Sequence, residues 1–168
     1  MNAAAFRHLY DYHFALNRFI WDNYVMQLTE EQFTRPVDYS HGPVRNQIGH
    51  IIDADTAWFG DLRGAPFPEL PAPSEGDERP AIRALWDEVE QGMRDYLAGL
   101  SDEMLFEKPW SEGEDKDLYR WQVLLHVANH GTDHRAQVLR DLRDMGVETT
   151  SQDYVFYSYE RPFAPEGS

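Results

Sequence analysis

The sequence predicts an all-α protein, an antiparallel four-helix bundle with a long Pro-rich crossover between helices two and three. Four segments carry apolar residues at the three-and-four spacing of an amphipathic helix. Five prolines crowd the stretch between the second and third segments. A short pattern before helix two is echoed before helix four, which suggests two related helix pairs.

Helix one covers residues 3 to 28, where Phe6, Leu9, Tyr10, Phe14, Leu16, Phe19, Ile20, Tyr24 and Leu28 share one broad face. Thr29 with Gln32 three residues on reads as a capping box that opens a short extra turn, and Pro36 stops it. Helix two begins near "SHGPV", with Ser40 or His41 outside it and Pro43 in its first turn, where a missing N–H costs little. It runs to Gly64. From Gly64 to Pro80 the prolines at 66, 68, 71, 73 and 80 exclude a continuous helix and leave a connector long enough to cross a bundle.

Helix three spans residues 81 to 100, marked by Ile82, Leu85, Trp86, Val89, Met93, Tyr96, Leu97 and Leu100. Ser101 is placed to cap a short turn, and "EGEDKD" reads as a polar loop or small hairpin tip. Helix four covers Arg120 to Met145 and ends at Gly146. Residues Tyr154 to Tyr159 are expected to pack on the bundle as an extended aromatic tail. The internal echo pairs "LTEEQFTRPV" with "LSDEMLFEKPW", and "RNQIGHI" with "RWQVLLHV" after one inserted residue.

One domain over residues 1–168 is the natural reading of a 168-residue chain in which 42% of residues are hydrophobic and 14% aromatic. Against 30 acidic side chains stand 15 basic ones, a formal charge of -15, and no basic block interrupts it. Such a field repels phosphate backbones and anionic headgroups, so neither nucleic acid nor membrane is an expected partner. Cysteine is absent, which excludes disulfides, thiolate metal sites and a protein thiol nucleophile. Arg7, His8, Asp11 and His13 break the N-terminal apolar pattern, and no apolar run reaches the roughly 20 residues of a membrane span. A soluble cytoplasmic protein is expected.

The histidines carry the chemistry. Most histidines serve no metal, and His8, His13 and His41 are read that way. His126, His130 and His134 differ, because residues four apart on a helix lie on one face, close enough for two imidazoles to reach one ion. At about 100° per residue, Val127, Gly131, His134 and Val138 form a narrow core stripe, with His130 on its edge and His126 further round. His130 and His134 are therefore the favoured pair. Gly131 costs about 1 kcal/mol relative to Ala in mid-helix, which points equally to tight helix packing or to the approach of a ligand. His50, about two turns inside helix two, is the candidate third ligand, projecting across if the helix pairs are equivalent. The echo aligns it with His126, which stays an alternative. Asp53, Asp55 and Asp133 are nearby acids able to orient an imidazole, or ordinary solvated and capping acids. Three neutral imidazoles without a thiolate suit Zn, Ni or another late first-row divalent ion, with one or more positions left to water or substrate.

Taken together, Tyr12 to Asn17, "SHGPVRNQIGHIIDADTAWFGDLRG" and "HVANHGTDHRAQ" resemble the DinB/YfiT-like family of bacterial four-helix bundles along nearly the whole chain. The resemblance implies a metal held by His50, His130 and His134, commonly Zn or Ni, with water completing the shell and frequently a homodimer. Some members of that family are transferases or isomerases using a low-molecular-weight thiol such as bacillithiol, mycothiol or glutathione. Its name comes from induction by DNA damage. Two departures bear on tuning: Asp133-His134-Arg135-Ala136-Gln137 stands where the family often has His-His-Arg-Gly-Gln, and Asp55 where it has Glu. The resulting expectation is a metal-dependent thiol S-transferase acting on small electrophiles. The alternative is a non-catalytic, metal-stabilised stress-response or interaction protein; a metal-free bundle with buried histidines is the third reading.

Overall fold

The computed structural model describes residues 2–69 and 78–164, and among these the backbone forms six α-helices and no strand. Helix α1 (Ala3–Asn23) starts where the Asn2 side chain accepts the Ala5 N–H at 2.9 Å, satisfying one of the donors a helix start leaves free. It stops short of the expected Leu28, and Val25–Gln27 tightens into a 3₁₀ turn. The reason lies in the tertiary structure: Arg79 donates to the carbonyls of Leu28 at 2.6 Å and Val25 at 3.3 Å, so these acceptors are satisfied without further helix.

Helix α2 (Glu30–Phe33) carries the expected capping box, with the Gln32 N–H donating to Thr29 Oγ1 at 3.1 Å and the Thr29 N–H to Gln32 Oε1 at 2.9 Å. Helix α3 (Val44–Arg63) follows Pro43 and ends at Gly64, whose φ of 65° is a left-handed stop. Helix α4 (Arg79–Ala98) begins two residues earlier than its apolar pattern, with Pro80 in the first turn. Helix α5 (Arg120–Asp144) opens with Gln122 accepting the Tyr119 N–H at 2.8 Å. The "EGEDKD" segment forms turns rather than a hairpin, closed by Lys108 to Asp117 at 2.8 Å.

The aromatic tail is not extended. Residues Tyr154–Glu160 form helix α6. Aromatic residues have modest helix propensity, and the tail is held in helical form by its contacts. Tyr154 and Tyr157, one turn apart, both set their rings edge-on against Tyr12, at 5.2 and 5.6 Å, and Tyr154 hydrogen-bonds His8 Nδ1 at 2.7 Å. Tertiary packing of this kind stabilises helices too short to persist alone.

Each of the four long helices packs against two others: α3 against α5 and α4, and α1 against α5 and α4. Their shared interior takes Phe6, Tyr10 and Phe14 from α1, Ile48, Ile52 and Phe59 from α3, Trp86 and Met93 from α4, and Leu124 and Val138 from α5. Full burial of each such side chain contributes about 1.5–3 kcal/mol. Residues 70–77, the middle of the expected Pro-rich crossover, lie outside the described residues. Its start is anchored: the Phe67 ring occupies the space beside Gly92, where a Cβ would meet Phe67 Cε1 at 2.4 Å, and the Arg63 guanidinium covers that ring at 4.2 Å. No helix among the described residues is long and apolar enough to cross a membrane.

Candidate metal centre

Close packing of α3 on α5 brings His50 to the two histidines one turn apart on α5. His50 Nε2 and His130 Nε2 lie 3.1 Å apart. The ring centroids of His50 and His134 are 4.5 Å apart, and those of His130 and His134 are 4.4 Å apart. All three residues named from the sequence therefore share one small volume. His126 does not join them: it is exposed, with its ring against Trp58 at 5.3 Å and 5.8 Å from His130.

A fourth ring joins them that helical spacing does not select. His41, in the loop before α3, stacks on His50 with centroids 3.6 Å apart and planes 17° apart, and lies 5.3 Å from His134. Nitrogens of His41, His50 and His134 all fall within 4.8 Å of one another, a group able to hold a metal ion. No helical period passes through His41, so only its place two residues before Pro43 hinted that it starts a helix next to His50.

Of the three acids read as able to orient an imidazole or as ordinary solvated residues, none hydrogen-bonds a histidine of the cluster, and Asp53 and Asp133 are exposed. Asp55 Oδ2 faces His13 Nε2 at 3.4 Å in the buried interior, and exposed Asp133 accepts from Gln137 at 3.2 Å. Exposed Asp53 has its pKa raised by burial of its carboxyl, opposed by Arg45. The residue that orients a site histidine is Gln47, fully buried one turn before His50, whose Oε1 lies 3.2 Å from His134 Nδ1. With Gln47 Oε1 as the acceptor, the proton of His134 sits on Nδ1 and Nε2 keeps the free lone pair. The "QIGH" spacing of three was the available signal, since it sets Gln47 and His50 on one face.

Behind the histidines lies a buried polar network. Arg135, 1% exposed, donates to His13 Nδ1 at 3.2 Å, Asn17 Oδ1 at 2.9 Å, Thr132 Oγ1 at 2.9 Å and Gln152 Oε1 at 3.1 Å. It ties α1 and the segment before α6 to the part of α5 that bears His134. Gly131 belongs to this network: a Cβ there would meet His13 Cε1 at 2.3 Å. The close approach that the glycine permits is that of a neighbouring helix.

Electrostatics favour neutral rings. Burial, then the neighbouring His41, His134 and His130, lowers the pKa of His50 to about 4. His130 is lowered by burial and by His134 and His126, against the opposing pull of Asp55 and Asp133. Burial also lowers His134, opposed by Asp133. A cluster of neutral imidazoles is the ligand form for a divalent ion. One pair has the spacing of ligands: two nitrogens bound about 2.0–2.1 Å from a common tetrahedral ion stand about 3.3 Å apart, close to the 3.1 Å between His50 and His130, although the trio whose nitrogens gather within 4.8 Å is His41, His50 and His134, without His130. Beside His130 opens a cleft of about 430 Å³ lined by His126, Asn129, Thr132, Asp133, Ala136 and Gln152.

Comparison with known proteins agrees with this architecture. Protein DinB of Bacillus subtilis (strain 168) is 25% identical over 168 residues, covering 95% of this chain and 96% of that protein. The model of the DinB family matches residues 1–166, and a match over nearly the entire length places the chain in the DinB family.

Proposed function

We propose that the chain is one antiparallel four-helix-bundle domain that binds a divalent ion, zinc or nickel, through His50, His130 and His134, and that it works as a thiol S-transferase on small electrophiles. The observation that carries the reading is the meeting of His50 on α3 with His130 and His134 on α5, three largely neutral imidazoles drawn from two helices. A divalent ion bound there supplies positive charge that lowers the pKa of a thiol reaching it. With no cysteine in the chain, that thiol comes from a low-molecular-weight co-substrate. Gln47 holds His134 in the ligating tautomer, and the cleft beside His130 admits the electrophile. In the reaction the thiol sulfur bonds to the electrophilic carbon, the leaving group departs with its bonding electron pair, and the thiol proton passes to solvent.

The test is turnover by metal-loaded protein offered a panel of bacterial thiols and a generic electrophile. Rates well above those of a His50→Ala variant are expected for at least one thiol. Equal rates for every thiol refute the transferase.

A second reading has its own support. Phe156, Tyr159 and Phe163 on and after α6 are 52%, 75% and 40% exposed, a surface suited to an interaction partner or a second copy in a homodimer. On that reading the ion only staples α3 to α5 in a stress-response or interaction protein. Metal removal then lowers the melting temperature while no thiol and electrophile pair gives turnover.

A further inference from the structure

His41 reaches the cluster from outside the helices, and the backbone that places it is under strain. Ser40 has φ 50° and Gly42 has φ 83°. A residue with a Cβ in the left-handed region costs roughly 1–2 kcal/mol, so the turn at Ser40 is not the relaxed choice for this sequence. The turn is closed by the Gly42 N–H donating to the Tyr39 carbonyl at 2.9 Å, and it delivers the His41 ring to His50 and His134. Strain kept at one residue is a pointer to function when the surroundings hold it there.

Stacking alone does not account for the arrangement. The stack by itself brings His41 and His50 nitrogens close, but it does not require that one nitrogen each of His41, His50 and His134 lie within 4.8 Å of one another, as they do. His41 is exposed, whereas His134 is buried and anchored by Gln47. The cluster therefore contains ligands of unequal hold, and His41 is the weakly held one. Val37 and Tyr39 of the same loop face Asp133, Ala136 and Arg140 of α5 across a cleft of about 480 Å³, so the loop is not packed tightly against α5 on that side.

We infer that His41 is an exchangeable fourth ligand, filling the remaining coordination position at rest and leaving it when a thiol arrives. This rests on the metal site proposed above and deepens it. The protein then protects its ion from water and chance ligands, and admission of thiol requires the loop at Ser40 to relax.

The experiment uses full-length, tag-free protein loaded with Co²⁺, with 2-mercaptoethanol as the probe thiol. X-ray absorption is expected to count four imidazole nitrogens per ion in the wild type, and three plus an oxygen in His41→Ala. If the capped form holds about nine-tenths of the molecules, removing His41 lowers the 2-mercaptoethanol concentration that half-saturates the sulfur-to-cobalt charge-transfer band about tenfold. Three imidazoles in both proteins with equal thiol affinity overturn the inference and leave the three-histidine site standing. If wild type and His50→Ala alike bind no cobalt, both readings fall. The wild-type imidazole count is itself decisive, so the test does not depend on how well the variant folds.

Discussion

Gly131→Ala is the sharpest perturbation of the interior behind the histidines. The added methyl would lie 2.3 Å from His13 Cε1 and 2.8 Å from His13 Nδ1. Carbon atoms pack at about 3.5–4.0 Å, so the ring must withdraw by more than about 1 Å. It has nowhere free to go: His13 is 0% exposed, with Asp55 against one nitrogen and Arg135 against the other. Overpacking a filled interior costs about 1–3 kcal/mol, and leaving a buried polar group unpaired costs about 1–3 kcal/mol more. Ala is favoured over Gly in a helix by about 1 kcal/mol, which offsets part of this. A net loss of about 3 kcal/mol follows. For a chain of this size it lowers the melting temperature by about 6–12 °C. Urea unfolding of metal-free protein, monitored by circular dichroism at constant m-value, measures it. In a double-mutant cycle with His13→Ala, removing the ring should abolish most of the penalty of the added methyl. A Gly131→Ala protein as stable as wild type, or more so, would refute the packing argument.

Two further outcomes follow from the site. Gln47→Leu removes the acceptor that fixes His134 and should weaken Co²⁺ binding by about 10–100-fold in a competition titration, with helix content unchanged by circular dichroism; unchanged affinity would deny Gln47 that role. Because the folded-state pKa of His50 is lowered to about 4 from 6.5, the unfolded chain takes up its proton first as pH falls. The resulting contribution is whole above pH about 6.5 and is lost as pH falls toward 4. Metal-free wild type should thus lose more stability between pH 7 and 5 than His50→Gln does, measured by thermal melting. Parallel pH profiles for the two proteins would contradict the lowered pKa.

The helical period along the sequence located the long helices to within a few residues, because each buries a face whose spacing is set by 3.6 residues per turn. The same period set His130 and His134 on one face, and their rings are 4.4 Å apart. What the period does not encode was missed or left open. Helix α1 ends early where Arg79, 54 positions beyond Val25, satisfies the Val25 and Leu28 carbonyls of the segment that follows it. Residues 154–160 are helical because of contacts to α1 that no local propensity reveals. Position in the sequence sets Asp55 near His50, whereas its partner His13 comes from another helix. Sequence alone leaves Gly131 balanced between a ligand and a helix, and the His13 ring decides it. His41 depends on a left-handed Ser40, a backbone choice that the identity of the residue argues against.

The central claim is that imidazoles from α3 and α5 jointly hold one ion. Elemental analysis of tag-free protein, purified and then reconstituted with zinc or nickel, tests it most directly when wild type is set beside His50→Ala and His134→Ala. About one tightly held ion per chain is predicted for the wild type, with most of it lost in each variant. Far less than one ion in the wild type after reconstitution, or full retention by both variants, would contradict it.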